Sequence, residues 1–271
     1  MKITKSISKK IAFALLLSLC FSLFIGCDGS DKNSENTTAS GKESTAPTVE
    51  STQPSESPAI TLPTLEDYTF NVYQVDSELQ LEDEWPIEPE NAEDVIKLYP
   101  EMLPVPDLDV CSAKIWGFFD DRYIYIYADV KDATPLMNYL TKNDLYMADC
   151  IEISFALGPK PALFRKYLFA VNTESEENMS STRPFRTDYM DPQGAQFSFV
   201  KNEDNSGYVF KVKLDTQNEE LDFIKLDEME DVFFDLWVDD SEAGKSLDKN
   251  VAWKGVINKR EQHGKMAFIK K

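Results

Sequence analysis

Between Lys114 and Leu157 apolar and polar positions alternate with a period of two, the spacing of a strand that buries one side. β-branched and aromatic residues are dense there, and Asp120-Asp121 interrupts the run as a turn pair would. The pattern predicts a hairpin of Ile115–Phe119 and Tyr123–Val130, a polar loop, and a third strand from Asp149 to Leu157. In the second strand Ile124, Ile126, Ala128 and Val130 share one face and Tyr123, Tyr125, Tyr127 and Asp129 the other. The first face is core; the tyrosine face is read as partly solvated. In the third strand Ile151, Ile153, Phe155 and Leu157 share a face, which sends Glu152 and Ser154 to the opposite one. A carboxylate therefore stands in mid-strand, off the core.

Strand-like segments recur downstream at Tyr167–Asn172, Gly207–Leu214, Phe233–Asp240, Val251–Trp253 and Gly264–Ile269, with no long amphipathic helix between them. Upstream, Asn91–Tyr99 is read as a short helix, and Pro100, Pro104 and Pro106 as an extended loop. The chain from residue 66 to 271 is thus expected to form one all-β domain, a β-sandwich of two antiparallel sheets.

The beginning of the chain has a different pattern. Lys2, Lys5, Lys9 and Lys10 precede an apolar run from Ile11 to Ile25, shorter than the ~20 residues of a membrane span. Residues 1–26 read as a signal peptide. The run closes on Phe24-Ile25-Gly26-Cys27, which resembles a bacterial lipobox and makes Cys27 the expected lipidation site; the alternative is an ordinary secretory signal with an incidental cysteine. From Asp28 to about Pro63 the chain is rich in Ser, Thr, Glu and Pro and has no aromatic residue until Tyr68. With so little to bury, residues 27–65 are expected to be a flexible tether. The expected location is outside the cytoplasm, anchored to the bacterial cell membrane by an N-terminal lipid.

Charge and cysteines narrow the functions. The chain is formally −20, and about −24 once the four signal lysines are removed. Such a surface repels nucleic acid and suits a neutral ligand or a cation. Cys20 lies in the signal, which leaves Cys111 and Cys150 in the folded domain. They form either a disulfide or two separately buried thiols, and spacing alone leaves both open.

An aromatic strand ending in Asp-Asp, the strand YIYIYADVKD, a variable loop, and then Asp149-x-x-Glu152-Ile153 resemble the family 9 carbohydrate-binding modules and the wider DOMON-like sandwiches. The segment from Leu79 to Trp85 resembles the family's opening, with departures at Gln80 and Glu82, and the later strands follow in the family's order. The resemblance covers roughly residues 66 to 271 and implies a jelly-roll-like sandwich that binds a poly- or oligosaccharide without catalysis. Sugar sites stack a pyranose face on aromatic rings and satisfy hydroxyls with a few polar groups. The resemblance places Tyr146 where a stacking Trp stands and Glu152 where a sugar-contacting Glu stands, with Asp149 between them. It places Ala170 where the family has an Arg, so that Arg165 becomes the nearby substitute, and Trp237 where it has a polar amide. The second stacking Trp falls near Ile257, where Lys259, Arg260 and His263 supply no aromatic ring from that family.

Carboxylates gather as Asp129, Asp132, Asp144, Asp149 and Glu152 around one loop and as Asp235, Asp239 and Asp240 later. Asp132 and Asp144 are candidate calcium ligands, since the resemblance implies structural calcium, although no loop has the spacing of an EF-hand. No cofactor is otherwise expected. With His263 as the single histidine, a His-dependent triad or a multi-histidine metal site has nothing else to build on. The expectation is therefore a membrane-anchored binding protein with a carbohydrate ligand, accessory to glycoside hydrolysis rather than an enzyme itself. The alternatives are an envelope interaction module that has lost the sugar site, a glycan-acting enzyme, or a haem-binding DOMON-like domain using His263 and a methionine.

Overall fold

The structure is a computed structural model and describes residues 69–95, 97–98, 111–157, 163–184, 187–228, 232–253 and 263–271. All of them belong to one compact unit, Ala59–Lys271. The signal segment, Cys27, the tether, the three prolines at 100, 104 and 106, and Ile257 lie outside the described residues.

Among the described residues the chain forms thirteen strands: β1 (Thr69–Gln74), β2 (Glu93–Val95), β3 (Lys97–Leu98), β4 (Cys111–Phe119), β5 (Tyr123–Asp132), β6 (Cys150–Leu157), β7 (Phe164–Val171), β8 (Asn178–Pro184), β9 (Ala195–Lys201), β10 (Gly207–Asp215), β11 (Val232–Asp240), β12 (Lys249–Ala252) and β13 (Gly264–Ile269). Hydrogen bonding runs in one path, β8-β7-β6-β11-β13-β1-β4-β5-β10-β9, with β12 added to β11 and β3, and β2 added to β4. The fold is all-β, as the alternation predicts. Its two halves are joined through β1, which runs parallel to both β13 and β4, whereas the other pairings are antiparallel. The described residues of the expected Asn91–Tyr99 helix, 91–95 and 97–98, are not helical: a 3-10 turn at Pro89–Asn91 gives way to β2 and β3. Pairing with β4 and β12 satisfies that backbone, so tertiary hydrogen bonding overrides a weak local preference.

The inward faces of the two halves meet in one core. Ile124, Ile126, Ala128 and Val130 of β5 pack there with Ile151, Ile153 and Phe155 of β6 and with Phe234, Leu236 and Val238 of β11. Phe70 of β1 stacks on Phe234 at 4.7 Å between ring centroids, so the joining strand is itself part of the core. The outward face of β5 is not a wet tyrosine face. Tyr125 is fully buried with Trp85, Trp116 and Phe118 in a second apolar layer, and Tyr123 and Tyr127 are half-buried at its margin. The segment before β2 folds back over this face: the indole N–H of Trp85 donates to the Gln80 carbonyl, and that of Trp116 to the Glu88 carbonyl, both at 2.8 Å. Tyr125 donates its hydroxyl proton to Asp120 at 2.5 Å. Period-two alternation reports which face a residue takes; it carries no information on a later-docking cover.

Cys111 and Cys150 are free buried thiols, not a disulfide. Cys111 points into the main core, whereas Cys150 lies on the other side of its strand with Leu145, Leu168 and Ala170. Burial pushes both thiols well up from the ordinary range.

Gly117 marks the closest approach of β4 to β1. A methyl group there would meet the Phe70 ring at 2.8 Å and collide with Val72. We predict that Gly117→Ala destabilises the domain by about 1–3 kcal/mol, the usual cost of overpacking. Urea denaturation checks it: the midpoint falls at unchanged slope, and an unchanged midpoint would contradict this packing.

Candidate functional site

The outward face of β6, β7 and β11 carries the site residues because register brings their side chains to one side. Trp237, Glu152, Leu168 and Ser181 stand across four neighbouring strands, and Asp235, Ser154, Lys166 and Arg183 form the adjacent row. Glu152 is 3 % exposed and pairs with Lys166 at 2.6 Å. Trp237, 7 % exposed, packs on Ala252 and donates its indole proton to Asp235 at 3.2 Å. Tyr146 is at the rim, on a 3-10 turn at Leu145–Met147 placed just before β6; its ring is 36 % exposed and lies 5.9 Å from the Lys166 ammonium.

Beneath that rim lies a buried polar layer. Asp239 accepts a short hydrogen bond from the Asn250 amide, and among the described residues Asp239 Oδ2 and Asn250 Oδ1 have no hydrogen-bond partner. Burial, and next the Glu152 charge, push the Asp239 carboxyl well up, against the pull of Lys166. The layer therefore favours a neutral Asp239 beside a charged pair.

Three expected residues are elsewhere. Arg165 lies on the opposite face of β7, where its guanidinium donates to the Glu220 carbonyl at 3.1 Å. Alternation requires this, since Arg165 and Lys166 are consecutive in a strand, and Lys166 is the cation that reaches Glu152. Asp149 is turned from this face: its two oxygens accept the amide protons of Met137 at 2.6 Å and Ser241 at 2.7 Å. Asp144 is exposed at the start of the Leu145–Met147 turn.

Asp149 instead joins Asp132 and Asp240, three buried carboxylates that each bring one oxygen within 4.8 Å of those of the other two. They come from the ends of β5 and β11 and the residue before β6. Burial, and next the Asp132 charge, push Asp149 up to about 9, while its two amide donors oppose the shift. Three such groups cannot all ionise without a cation, and hard oxygens at this spacing are the donor set that calcium takes.

Sequence reasoning did not place Lys166, Asn250, Arg183 or Tyr189 at this face. Lys166 carried a signal, since a lysine at the even positions of β7, with Leu168 and Ala170, falls on the Glu152 face; for Tyr189 nothing local distinguishes it. His263 is buried, with Nε2 3.5 Å from the Ser154 hydroxyl and its ring 6.1 Å from that of Phe164. A cavity of about 630 Å³ beside the β4–β5 turn, lined by Phe119, Asp120, Thr216, Asp222 and Lys270, contains none of these residues.

No curated protein matches the chain. Among solved structures, the chain is similar to a family 9 carbohydrate-binding module from Caldicellulosiruptor kristjanssonii in complex with glucose, with a TM-score of 0.52 and 15 % identity over 75 % of this chain and 96 % of that one. It is similar also to a family 9 module from the same organism in complex with cellotriose, with a TM-score of 0.50 and 15 % identity over 74 % of this chain and 94 % of that one. At such identity these likenesses establish the fold. Residues 91–266 match the family described as carbohydrate family 9 binding domain-like, and to that family the chain belongs.

Proposed function

We propose that this protein is a non-catalytic carbohydrate-binding module, held outside the cell membrane by a lipid on Cys27 and a flexible tether. The observation that carries the reading is that Tyr146, Glu152 and Trp237 gather on one outward sheet face, with family membership behind it. Tyr146 offers the exposed ring on which an apolar pyranose face stacks. Glu152 retains acceptor capacity beyond its bond to Lys166, the buried Asn250 carbonyl oxygen lacks a donor, and a neutral Asp239 has a hydroxyl proton to donate. Leaving a buried polar group unsatisfied costs about 1–3 kcal/mol. Sugar hydroxyls supply what these groups lack. Entry requires the Lys166 side chain to move, since its ammonium is bound to Glu152 and stands 5.9 Å from the Tyr146 ring.

That same lysine favours a second reading, an interaction module whose sugar site is filled from within. Lys166 and Glu152 are each about 5 % exposed, so the pair occupies the place of a ligand.

The Asp132, Asp149 and Asp240 carboxylates would hold calcium, and the ion would neutralise them and tie together the ends of β5 and β11 and the start of β6. Support comes from the mutual approach of the three groups and from the shift of Asp149.

Three outcomes are expected. In calorimetric titration, cellotriose or another β-linked oligosaccharide binds saturably, and Tyr146→Ala and Glu152→Gln each weaken it at least tenfold, about 1.4 kcal/mol; absence of binding to a panel of gluco-, xylo- and manno-oligosaccharides by the folded protein leaves the second reading. Lys166→Met strands a buried carboxylate and lowers stability by about 3–5 kcal/mol in chemical denaturation, whereas Lys166→Met with Glu152→Gln recovers most of it; equal loss in both would show that the pair is not the cause. Without a cation, the raised Asp149 pKa means the folded state holds more protons than the unfolded one between roughly pH 4 and pH 9, so stability falls as pH rises through that window. Calcium favours the ionised form, so its upward shift of the melting temperature is expected to be larger at pH 8 than at pH 5; a shift independent of pH, or none, would contradict the assignment.

A further inference from the structure

The β8 edge of the site face carries a pair that neither the family pattern nor the reading above uses. Thr182 and Met190 exchange backbone hydrogen bonds of 2.8 Å in both directions, an isolated bridge that lays residues 189–191 against β8. One step from this bridge the antiparallel register sets Tyr189 opposite Arg183. The side chains meet there: the guanidinium carbon of Arg183 stands 4.4 Å from the Tyr189 ring centroid. Two further contacts fix the segment. Asp191 pairs with Lys142 at 2.7 Å, and the Ser181 hydroxyl donates to the Lys142 carbonyl at 2.8 Å. Tyr189 also packs against the cluster of Leu145, Cys150, Leu168 and Ala170, which belongs to the Glu152 face.

This arrangement holds the Arg183 guanidinium over the Tyr189 ring. The Tyr189 ring is engaged by the apolar cluster as well as by Arg183, so it serves as a support rather than a sugar platform. An arginine stacked on an aromatic ring keeps its in-plane N–H groups free, and their fork matches a carboxylate with two parallel hydrogen bonds. Arg183 is half-buried and has no carboxylate partner among the described residues. Its cross-strand neighbour Lys166 has its charge matched by Glu152, and on the nearby segment Asp191 is matched by Lys142. Asp188 is exposed and, adjacent in an extended segment, belongs to the alternate side from Tyr189. Among the described residues, Arg183 is thus a positive charge without an ion-pair partner beside the ligand face. The net charge of −20 opposes an anion at long range, but its field is screened beyond about 8 Å at physiological ionic strength.

We propose that Arg183, held on Tyr189, is a carboxylate-binding subsite, and that the carbohydrate taken by this face carries a uronic acid unit. The inference rests on the carbohydrate-binding reading and adds the chemical class of the ligand. It assigns Arg183 as the specificity-determining residue and Tyr189 as a positioning residue.

The test compares three ligands with the full-length chain: cellotriose, a β-1,4-glucan trisaccharide whose terminal unit is glucuronic acid, and the methyl ester of that acid. The free acid is expected to bind at least tenfold tighter than either neutral compound, a comparison that needs no variant. Arg183→Gln is expected to abolish the difference, bringing the affinity for the free acid down to that for its methyl ester. Arg183→Lys keeps the charge but not the fork and is expected to lose most of the preference. Arg122→Gln, which removes the same charge from the exposed pair with Asp215, is expected to lose none of it. Equal affinity for all three ligands, or a preference that Arg183→Gln leaves intact, overturns the subsite while the sugar-binding reading stands. If no ligand binds, both the reading and this inference fall.

Discussion

The ion pair of Lys166 with Glu152 governs the outward face of the β6–β7–β11 layer. Removing two charges from water costs several kcal/mol per ion, and only close mutual compensation offsets it. At 2.6 Å, each nearly enclosed, the two groups meet that condition. Their surroundings follow from it. Tyr146 lies over the ammonium, Asp239 is driven toward its neutral form by burial and the Glu152 charge, and the Tyr189 phenol is raised chiefly by its own burial and next by the same carboxylate. A ligand for this face must therefore displace or extend the pair, which ties affinity to the cost of moving one lysine.

The placing of that pair depends on a sheet buried on both sides. The inward sides of β6 and β11 contribute to the main core, so their outward sides are free to hold polar groups without loss of the apolar seal. On the opposite half the outward side of β5 is closed by Trp85 and its segment, with tryptophan and tyrosine polar atoms satisfied by backbone carbonyls and Asp120. The two outer faces thus have different uses: one is a second apolar layer, the other a polar floor with an exposed aromatic rim. The acidic trio at the strand ends adds a third element, since its three carboxylates fix the loop that carries Tyr146 only if their charge is neutralised.

The strands of the central stretch were legible because alternation is a direct consequence of strand geometry. It put Glu152 off the core correctly, and it separated Ile124 to Val130 from the tyrosines. It did not show that the tyrosine side is covered, because Trp85 comes from a segment distant in sequence. Asp132, Asp149 and Asp240 are likewise far apart in the chain, and their convergence depends on β6 and β11 being neighbours. The expected cation, Arg165, faces away and Lys166 takes its place, because a one-residue difference in a strand reverses the face. Tyr189 is held by a single bridge and one ion pair, for which no short motif exists.

The four tryptophans allow the most direct test of where a sugar docks. Trp237 lies on the proposed face, Trp85 and Trp116 in the second apolar layer, and Trp253 in the main core. The measurement is the set of indole N–H signals in a nitrogen–proton NMR spectrum during titration with cellotriose. The account predicts that the Trp237 signal moves with saturation while those of Trp85, Trp116 and Trp253 stay in place. Movement of the Trp85 or Trp116 signal with Trp237 unchanged would place the ligand on the other half of the fold and contradict the account.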